Sequence, residues 1–192
     1  MRLVISVMVV FAMIMIACNG EVDLSKSIKK EKVRAYFKGF NAKDYNLIKP
    51  LFKDSISITE GVEAKFNTAS FYEHFKWDSV FNTQYTIKNL SVTDSVIIAS
   101  IAARSERYAF LENNPLRCDW SFYFKDSVIY NITIGDCPSA NWSKWEQKKD
   151  SLVAWTAANY PELDNFINDL SEQGAQKYVQ AINLYKKDKS RK

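Results

Sequence analysis

Residues 33–61 constrain the fold of this 192-residue chain more than any other stretch of its sequence. The apolar residues at the start of the stretch recur with the 3.6-residue period of an amphipathic helix: Val33, Tyr36, Phe37 and Phe40. A polar corner at residues 41–44 and a shorter helical run follow, and a short strand at residues 55–59 then ends at Glu60-Gly61. These residues therefore predict a helix, an acidic corner, a short helix and a strand in that order.

That order resembles the opening of the nuclear transport factor 2-like (SnoaL-like) superfamily, whose members fold as a curved sheet wrapped by helices into a cone with a pocket inside. The resemblance covers roughly residues 27–135. It implies an α+β fold in which N-terminal helices wrap a curved antiparallel sheet. Residues 143–188 have helical periodicity and predict an added C-terminal helical extension, with a helix at 163–170 and Ser171 as the cap of the last helix.

The N-terminus predicts a bacterial lipoprotein signal. Residues 3–16 are apolar except for Ser6, which is short for a membrane-spanning helix and suits a signal-peptide core. Ala17-Cys18 closes this run and resembles a lipidation motif, with Met15 in place of the usual leucine; an ordinary signal peptide with an incidental Cys18 is the alternative. We expect an exported, membrane-anchored lipoprotein that faces the periplasm or the cell surface, at the outer membrane. The predicted units are a signal peptide at 1–17, a lipid-proximal tether at 18–27 and one domain at 28–188.

The charge pattern argues against nucleic-acid binding. The chain has 26 basic and 22 acidic residues, and five of the basic ones lie in residues 186–192. The rest of the chain is close to neutral, whereas a nucleic-acid interface needs basic residues clustered with aromatic ones on one surface. We therefore expect no nucleic-acid partner.

Cys118 and Cys137 flank a predicted hairpin, which leaves two alternatives. With a turn at Asp126-Ser127, Cys118 lies opposite Gly135, and Cys137 is one diagonal step away. A disulfide then needs a bulge that shifts the register; without one, the two cysteines are buried thiols. The same register predicts that one face of the second strand carries Val128, Tyr130, Ile132 and Ile134.

The sequence lacks the common catalytic and metal-binding motifs. The five glycines are scattered, so no glycine-rich phosphate loop is present, and His74 is the single histidine, which excludes two-histidine zinc patterns. We expect His74 to be a partly exposed helix residue, and Arg104 and Arg107 to lie solvated at an exposed strand end; the alternative is that the two arginines reach the mouth of a pocket. No metal and no cofactor are predicted.

Tyr36 and Glu60 are the catalytic candidates. Ungapped alignment of the opening stretch with ketosteroid isomerases of the superfamily places Tyr36 on their oxyanion-hole tyrosine and Glu60 on their general base, roles that suit a phenol and a carboxylate. Trp120 stands where those enzymes have an acid, so the third member is missing. The alternative is that Tyr36 only lines the cone and Glu60 only belongs to the turn.

The leading functional prediction is a lipid-anchored domain that binds a small, largely apolar molecule. An isomerase or lyase with Glu60 as base is one alternative, and a ligand-free interaction module whose cone is filled by the C-terminal helices is another. Pairing of two copies as a homodimer is left open. The predicted ligand-binding residues are Tyr36, Phe40, Glu60, Trp77, Trp120 and Phe122.

Overall fold

The computed structural model describes residues 24–93 and 96–191. The predicted signal peptide and Cys18 lie outside these residues. No helix within them is long and apolar enough to cross a membrane. The helices are α1 (24–42), α2 (Thr68–Val80), α3 (Glu106–Phe110), α4 (Trp142–Asn159) and α5 (Glu172–Lys189), and the strands are β1 (Ser55–Glu60), β2 (Val62–Asn67), β3 (Gln84–Thr93), β4 (Val96–Arg104), β5 (Leu116–Lys125) and β6 (Val128–Ile134).

The six strands form one mixed, open sheet in the order β2-β1-β6-β5-β4-β3. Among the described strands, β1 and β6 pair in parallel and the other neighbours pair antiparallel. The prediction of an entirely antiparallel sheet is therefore wrong at this one pair. Helix α1 lays its predicted apolar side on the sheet, where Tyr36 and Phe37 are almost fully buried beside Phe122. The α+β architecture is confirmed, and residue 24, which lies within the predicted tether, is already helical.

Residues 62–67 form strand β2 at the edge of the sheet. The chain reverses at Gly61, whose φ of 71° lies in the left-handed region that glycine adopts easily. Val62, Ala64 and Phe66 alternate with polar residues along β2, but most of its side chains are exposed, as suits a strand at the edge of the sheet. Asn67, and not Thr68, caps α2, because its side chain and that of Ser70 form a capping box.

A β-bulge interrupts the β5–β6 hairpin. Tyr123 pairs with Asn131 while Phe124 pairs with Ile129, which leaves Tyr130 unpaired and exposed. The prediction that Tyr130 shares a face with Ile132 is therefore wrong, because Ile129 is fully buried with Ile132 instead.

The same bulge brings Cys118 and Cys137 together. It shifts the pairing by one residue, so Trp120 lies opposite Ile134 and Cys137 is one position nearer to Cys118 than the unbulged hairpin would allow. The two cysteines form a disulfide, with their Cα atoms 4.2 Å apart. The structure thus has the disulfide and not the two buried thiols.

The C-terminal helices form a second apolar core against α2 and α3. Ser171 caps α5 as predicted, but residues 163–170 form no α-helix: a 3₁₀ turn at Pro161–Leu163 is followed by bends in which Asn165 has a φ of 62°. The second core is built from Phe81, Phe110, Leu111, Leu152, Phe166, Ala175, Tyr178, Ala181 and Ile182.

Candidate functional site

A cavity of about 200 Å³ lies between α1, α2, α3 and the inner face of the sheet. Helix α1 contributes Tyr36 and Phe40, and Trp145 from α4 reaches the same space. The apolar side of the cavity is formed by Ile58, Ile101, Ala103, Leu116, Trp120 and Ile134. Because the strands supply short and branched side chains here, a space remains between the sheet and the helices.

Helices α2 and α3 build the polar wall of the cavity. His74, Trp77 and Asp78 are spaced i, i+3 and i+4 on α2, so their side chains share one face of that helix. Ser105 ends β4 and caps α3 through a bond from the Tyr108 backbone N–H to its hydroxyl. This cap starts a helix where the sequence predicted an exposed strand end, and Arg107 consequently faces the cavity.

Asp78 is a buried carboxyl group held by neighbouring hydroxyls. The phenol of Tyr85 donates a hydrogen bond of 3.0 Å to Asp78 Oδ1, and the Thr83 hydroxyl lies 3.4 Å from the same atom. Burial raises the pKa of Asp78, while the positive charge of Arg107 and these two hydrogen bonds oppose that shift. An acid of this kind can hold or move a proton at the cavity surface.

Arg107 has an unusual environment for a cation. Its Nη2 donates to the Tyr108 hydroxyl at 3.1 Å, and its Cζ lies 4.8–4.9 Å from the ring centres of Trp77, Phe81 and Tyr108. Within residues 24–93 and 96–191, no carboxylate lies within ion-pair distance of it. Its Nε and the indole Nε1 of Trp77 are buried without a hydrogen-bond partner in the same part of the chain.

His74 is neutral in this wall. Burial, together with the nearby charge of Arg107, lowers the pKa of His74 to about 4. Its ring stacks on that of Trp77, with the ring centres 6.3 Å apart. His74 is a half-buried residue of α2, in agreement with the predicted partly exposed helix residue, and it also lies in the cavity wall with Trp77 and Asp78.

Five of the six predicted ligand-binding residues line the cavity: Tyr36, Phe40, Glu60, Trp77 and Trp120. Phe122 does not line it and instead packs behind Tyr36 in the core, with ring centres 5.5 Å apart. Burial raises the pKa of Tyr36 well above its ordinary value, and the negative charge of Asp78 raises it further. Glu60 lines the cavity from the exposed end of β1, so it lies at the rim.

Of the polar wall, sequence reasoning identified Trp77 as a ligand-binding residue and missed the other members. Asp78 was not singled out, and Arg107 was expected in solvent. The spacing of His74, Trp77 and Asp78 was the available signal for a shared helix face. Arg107 had no comparable signal, because its position depends on where β4 ends and α3 begins. The described residues contain no group of three histidine, cysteine, aspartate or glutamate side chains placed to hold a metal ion.

Comparison with solved structures agrees with this architecture. Bal32a, from a soil-derived mobile gene cassette, matches with a TM-score of 0.51 at 17% identity, over 64% of this chain and 97% of its own. The chain has the nuclear transport factor 2-like fold. Two other solved structures match more weakly. SalBIII, an epoxide hydrolase/cyclase-like enzyme with a role in pyran ring formation in the polyether salinomycin, has a TM-score of 0.47 at 18% identity, over 57% of this chain and 91% of its own.

An NTF2-like protein of unknown function from Cytophaga hutchinsonii has a TM-score of 0.44 at 6% identity, over 55% of this chain and 87% of its own. No protein-family model and no curated protein matches the sequence. At such identities the likeness concerns the nuclear transport factor 2-like fold and not an activity.

Proposed function

We propose that this protein is a membrane-tethered receptor domain that binds one small, largely apolar molecule in the cavity. The observation that carries the proposal is the cavity itself, which combines an apolar side formed by the sheet with a polar wall from α2 and α3. Ligand sites of known proteins have this composition: mostly apolar surface with a few placed polar groups. The cavity remains although the C-terminal helices are docked, which favours binding over a ligand-free interaction module.

The cavity sets the size of the ligand. Its volume of about 200 Å³ lies below the roughly 300–1,000 Å³ typical of sites for drug-sized molecules. One aromatic or alicyclic ring with a polar substituent is therefore the expected ligand. The ring would lie among Ile101, Ala103 and Trp120, and the substituent would face the polar wall.

The membrane tether is supported by the sequence alone. The apolar run at residues 3–16 followed by Ala17-Cys18 is typical of an exported bacterial lipoprotein. The first described residue lies six positions after Cys18, a length that can span at most about 20 Å. The domain would thus be held close to the periplasmic or cell-surface side of its membrane.

Binding can be tested with a variant that fills the cavity. Ala103 is 5% exposed and lines the cavity, so Ala103→Phe should occupy the ligand's space. Ala109→Phe adds the same ring at an exposed position of α3 and is the matched control. In isothermal titration calorimetry, indole and benzamide should bind the wild type and Ala109→Phe and should fail to bind Ala103→Phe. Equal binding to all three proteins would place the ligand elsewhere, and no binding to any would refute the proposal.

An acid–base enzyme is the second candidate, because Tyr36, Glu60 and Asp78 line one cavity. An isomerase or lyase with Glu60 as base would turn over an enolisable ketone or a β-hydroxy carbonyl compound, and Glu60→Gln would stop turnover while leaving binding intact. We expect no turnover, since Trp120 stands in place of the acid that the related enzymes use.

The anchor has a separate test. Cys18→Ser should remove the lipid, so the variant should move from the detergent phase to the aqueous phase in Triton X-114 partitioning. Equal partitioning of the two proteins, with an unmodified Cys18 by mass spectrometry, would contradict the lipoprotein assignment.

A further inference from the structure

We propose that the cavity selects ligands that carry a carboxylate, with Arg107 as the counter-charge and Trp77 as a second donor. The inference rests on the proposed binding function and names the chemical class of its ligand.

The first observation is the incomplete coordination of Arg107. A guanidinium group has five N–H donors, and in the described part of the chain one hydrogen bond, to the hydroxyl of Tyr108, uses them. The rings of Trp77, Phe81 and Tyr108 surround its Cζ. Aromatic rings attract a cation, but they accept no strong hydrogen bond and replace only part of its hydration. The guanidinium group of Arg107 therefore has no anionic or carbonyl acceptor among the described residues.

The second observation is a pair of orphaned donors. Nε of Arg107 and Nε1 of Trp77 are both buried, and neither has an acceptor among the described residues. Native proteins leave few buried N–H groups unpaired, because each one loses its bonds to water without replacement. The two side chains are in contact and line the same cavity. One acceptor group placed between them would satisfy both.

A carboxylate fits these donors better than a single oxygen does. It is planar, it presents two oxygens, and it pairs with the fork of a guanidinium through parallel hydrogen bonds. One oxygen can accept from Arg107 while the other accepts from Trp77. The opposite side of the cavity is apolar, with Ile101, Ala103 and Trp120 among its residues, so the remainder of the ligand is a ring or a short hydrocarbon.

Asp78 provides the competing arrangement. Its charge acts on Arg107, although the two groups form no ion pair, and its Oδ1 already accepts from Tyr85 and Thr83. If Asp78 balances Arg107 by itself, a neutral ligand needs no counter-charge and a second carboxylate is repelled. The two arrangements thus predict opposite preferences between an acid and its amide.

Benzoate and benzamide are the probes that separate the two arrangements, because they share ring and size and differ in charge. In calorimetric titration at pH 7.5, the wild type should bind benzoate at least about tenfold more tightly than benzamide, as expected for a hydrogen-bonded ion pair. Arg107→Gln should abolish this preference, so that benzoate binds no more tightly than benzamide. Arg104→Gln, three residues earlier on the exposed end of β4, is the matched control and should keep the preference.

Trp77→Phe keeps a ring against Arg107 but removes the indole donor, so it should weaken benzoate binding more than benzamide binding and reduce the preference. This variant decides the question if Arg107→Gln does not fold, which circular dichroism would reveal. Equal affinity of the wild type for the two probes would overturn the proposal and favour a neutral ligand balanced by Asp78. A benzoate preference that survives in folded Arg107→Gln, or that stays undiminished in Trp77→Phe when Arg107→Gln is unfolded, would also overturn it.

The proposed binding function fails separately from this inference. Benzamide binding that Ala103→Phe abolishes would keep the function even when benzoate shows no advantage. Absence of binding by both probes would remove the function and the inference together.

Discussion

At the scale of single residues, His74 has a protonation equilibrium that should affect folding. An unfolded histidine has a pKa of about 6.5, whereas burial and Arg107 lower the pKa of His74 in the folded protein to about 4. Between these two values the unfolded chain binds a proton and the folded chain does not. The contribution of His74 to stability is therefore complete above about pH 6.5 and is lost as the pH falls toward 4.

The prediction is that His74→Gln reduces the acid sensitivity of the protein. The free energy of unfolding of the wild type should fall by about 2 kcal/mol more than that of the variant between pH 7 and pH 4. Urea denaturation of both proteins at pH 7, 5.5 and 4 measures this difference. His74 is the single histidine of the chain, so the variant has no imidazole that titrates in this pH range. All other titrating groups are the same in the two proteins. Parallel pH profiles would show that the imidazole is solvated.

The residues that sequence analysis placed correctly follow the helix and strand periods. Tyr36 and Phe40 lie on the apolar stripe of α1, and Trp120 lies on the inward face of β5, and all three line the cavity. Periodicity identifies a buried face, but it does not distinguish a cavity wall from solid core. Phe122 shows this limit: it shares the inward face of β5 with Trp120 and is fully buried behind Tyr36.

At the scale of elements, the errors occur where one residue changes the chain's direction or register. Ser105 ends β4 and caps α3, and this cap carries Arg107 from the predicted solvated position into the cavity. Local propensity did not indicate this change, because Arg104, Ser105 and Glu106 suit an exposed strand end as well as a helix start.

The β5–β6 hairpin is the second such place. Its turn lies at Asp126-Ser127, as the sequence predicted, and both residues have positive φ. The bulge at Tyr130 then changes the register, and the disulfide between Cys118 and Cys137 depends on this change. Alternation along β6 does not reveal a bulge, since Tyr130 is an acceptable strand residue on either face.

At the scale of the whole molecule, the two larger apolar cores of the described residues share α2. One face of α2 packs with α1 and the sheet through Phe71 and Phe75, and its C-terminal end packs with α5 through Phe81. Tyr178 contacts Phe81 with ring centres 5.6 Å apart. The polar wall of the cavity lies on α2 between these cores, so the C-terminal helices support the helix that carries the candidate site.

Truncation should therefore destabilise the whole protein. A chain that ends at Ser143 would expose Phe81, Phe110 and Leu111, which are almost fully buried in the complete protein. Each exposed side chain of this size costs about 1.5–3 kcal/mol, so the truncated protein should aggregate or melt at a much lower temperature. Size-exclusion chromatography and thermal denaturation would show this. A truncated protein that stays monomeric with an unchanged melting temperature would mean that the helices are an independent module.

A point variant tests the same coupling without removing a segment. Tyr178 is 3% exposed and packs between Phe81 and Phe166, so Tyr178→Ala should lower the free energy of unfolding by about 3–5 kcal/mol. Leu170→Ala is the matched control, because Leu170 is 58% exposed and its loss should change stability by no more than about 0.5 kcal/mol. If the two cores form one cooperative unit, Tyr178→Ala should shift a single melting transition, followed by tryptophan fluorescence and by far-ultraviolet circular dichroism. Two separate transitions would mean that α2 does not couple the cores, and the predicted single domain at 28–188 would then be wrong.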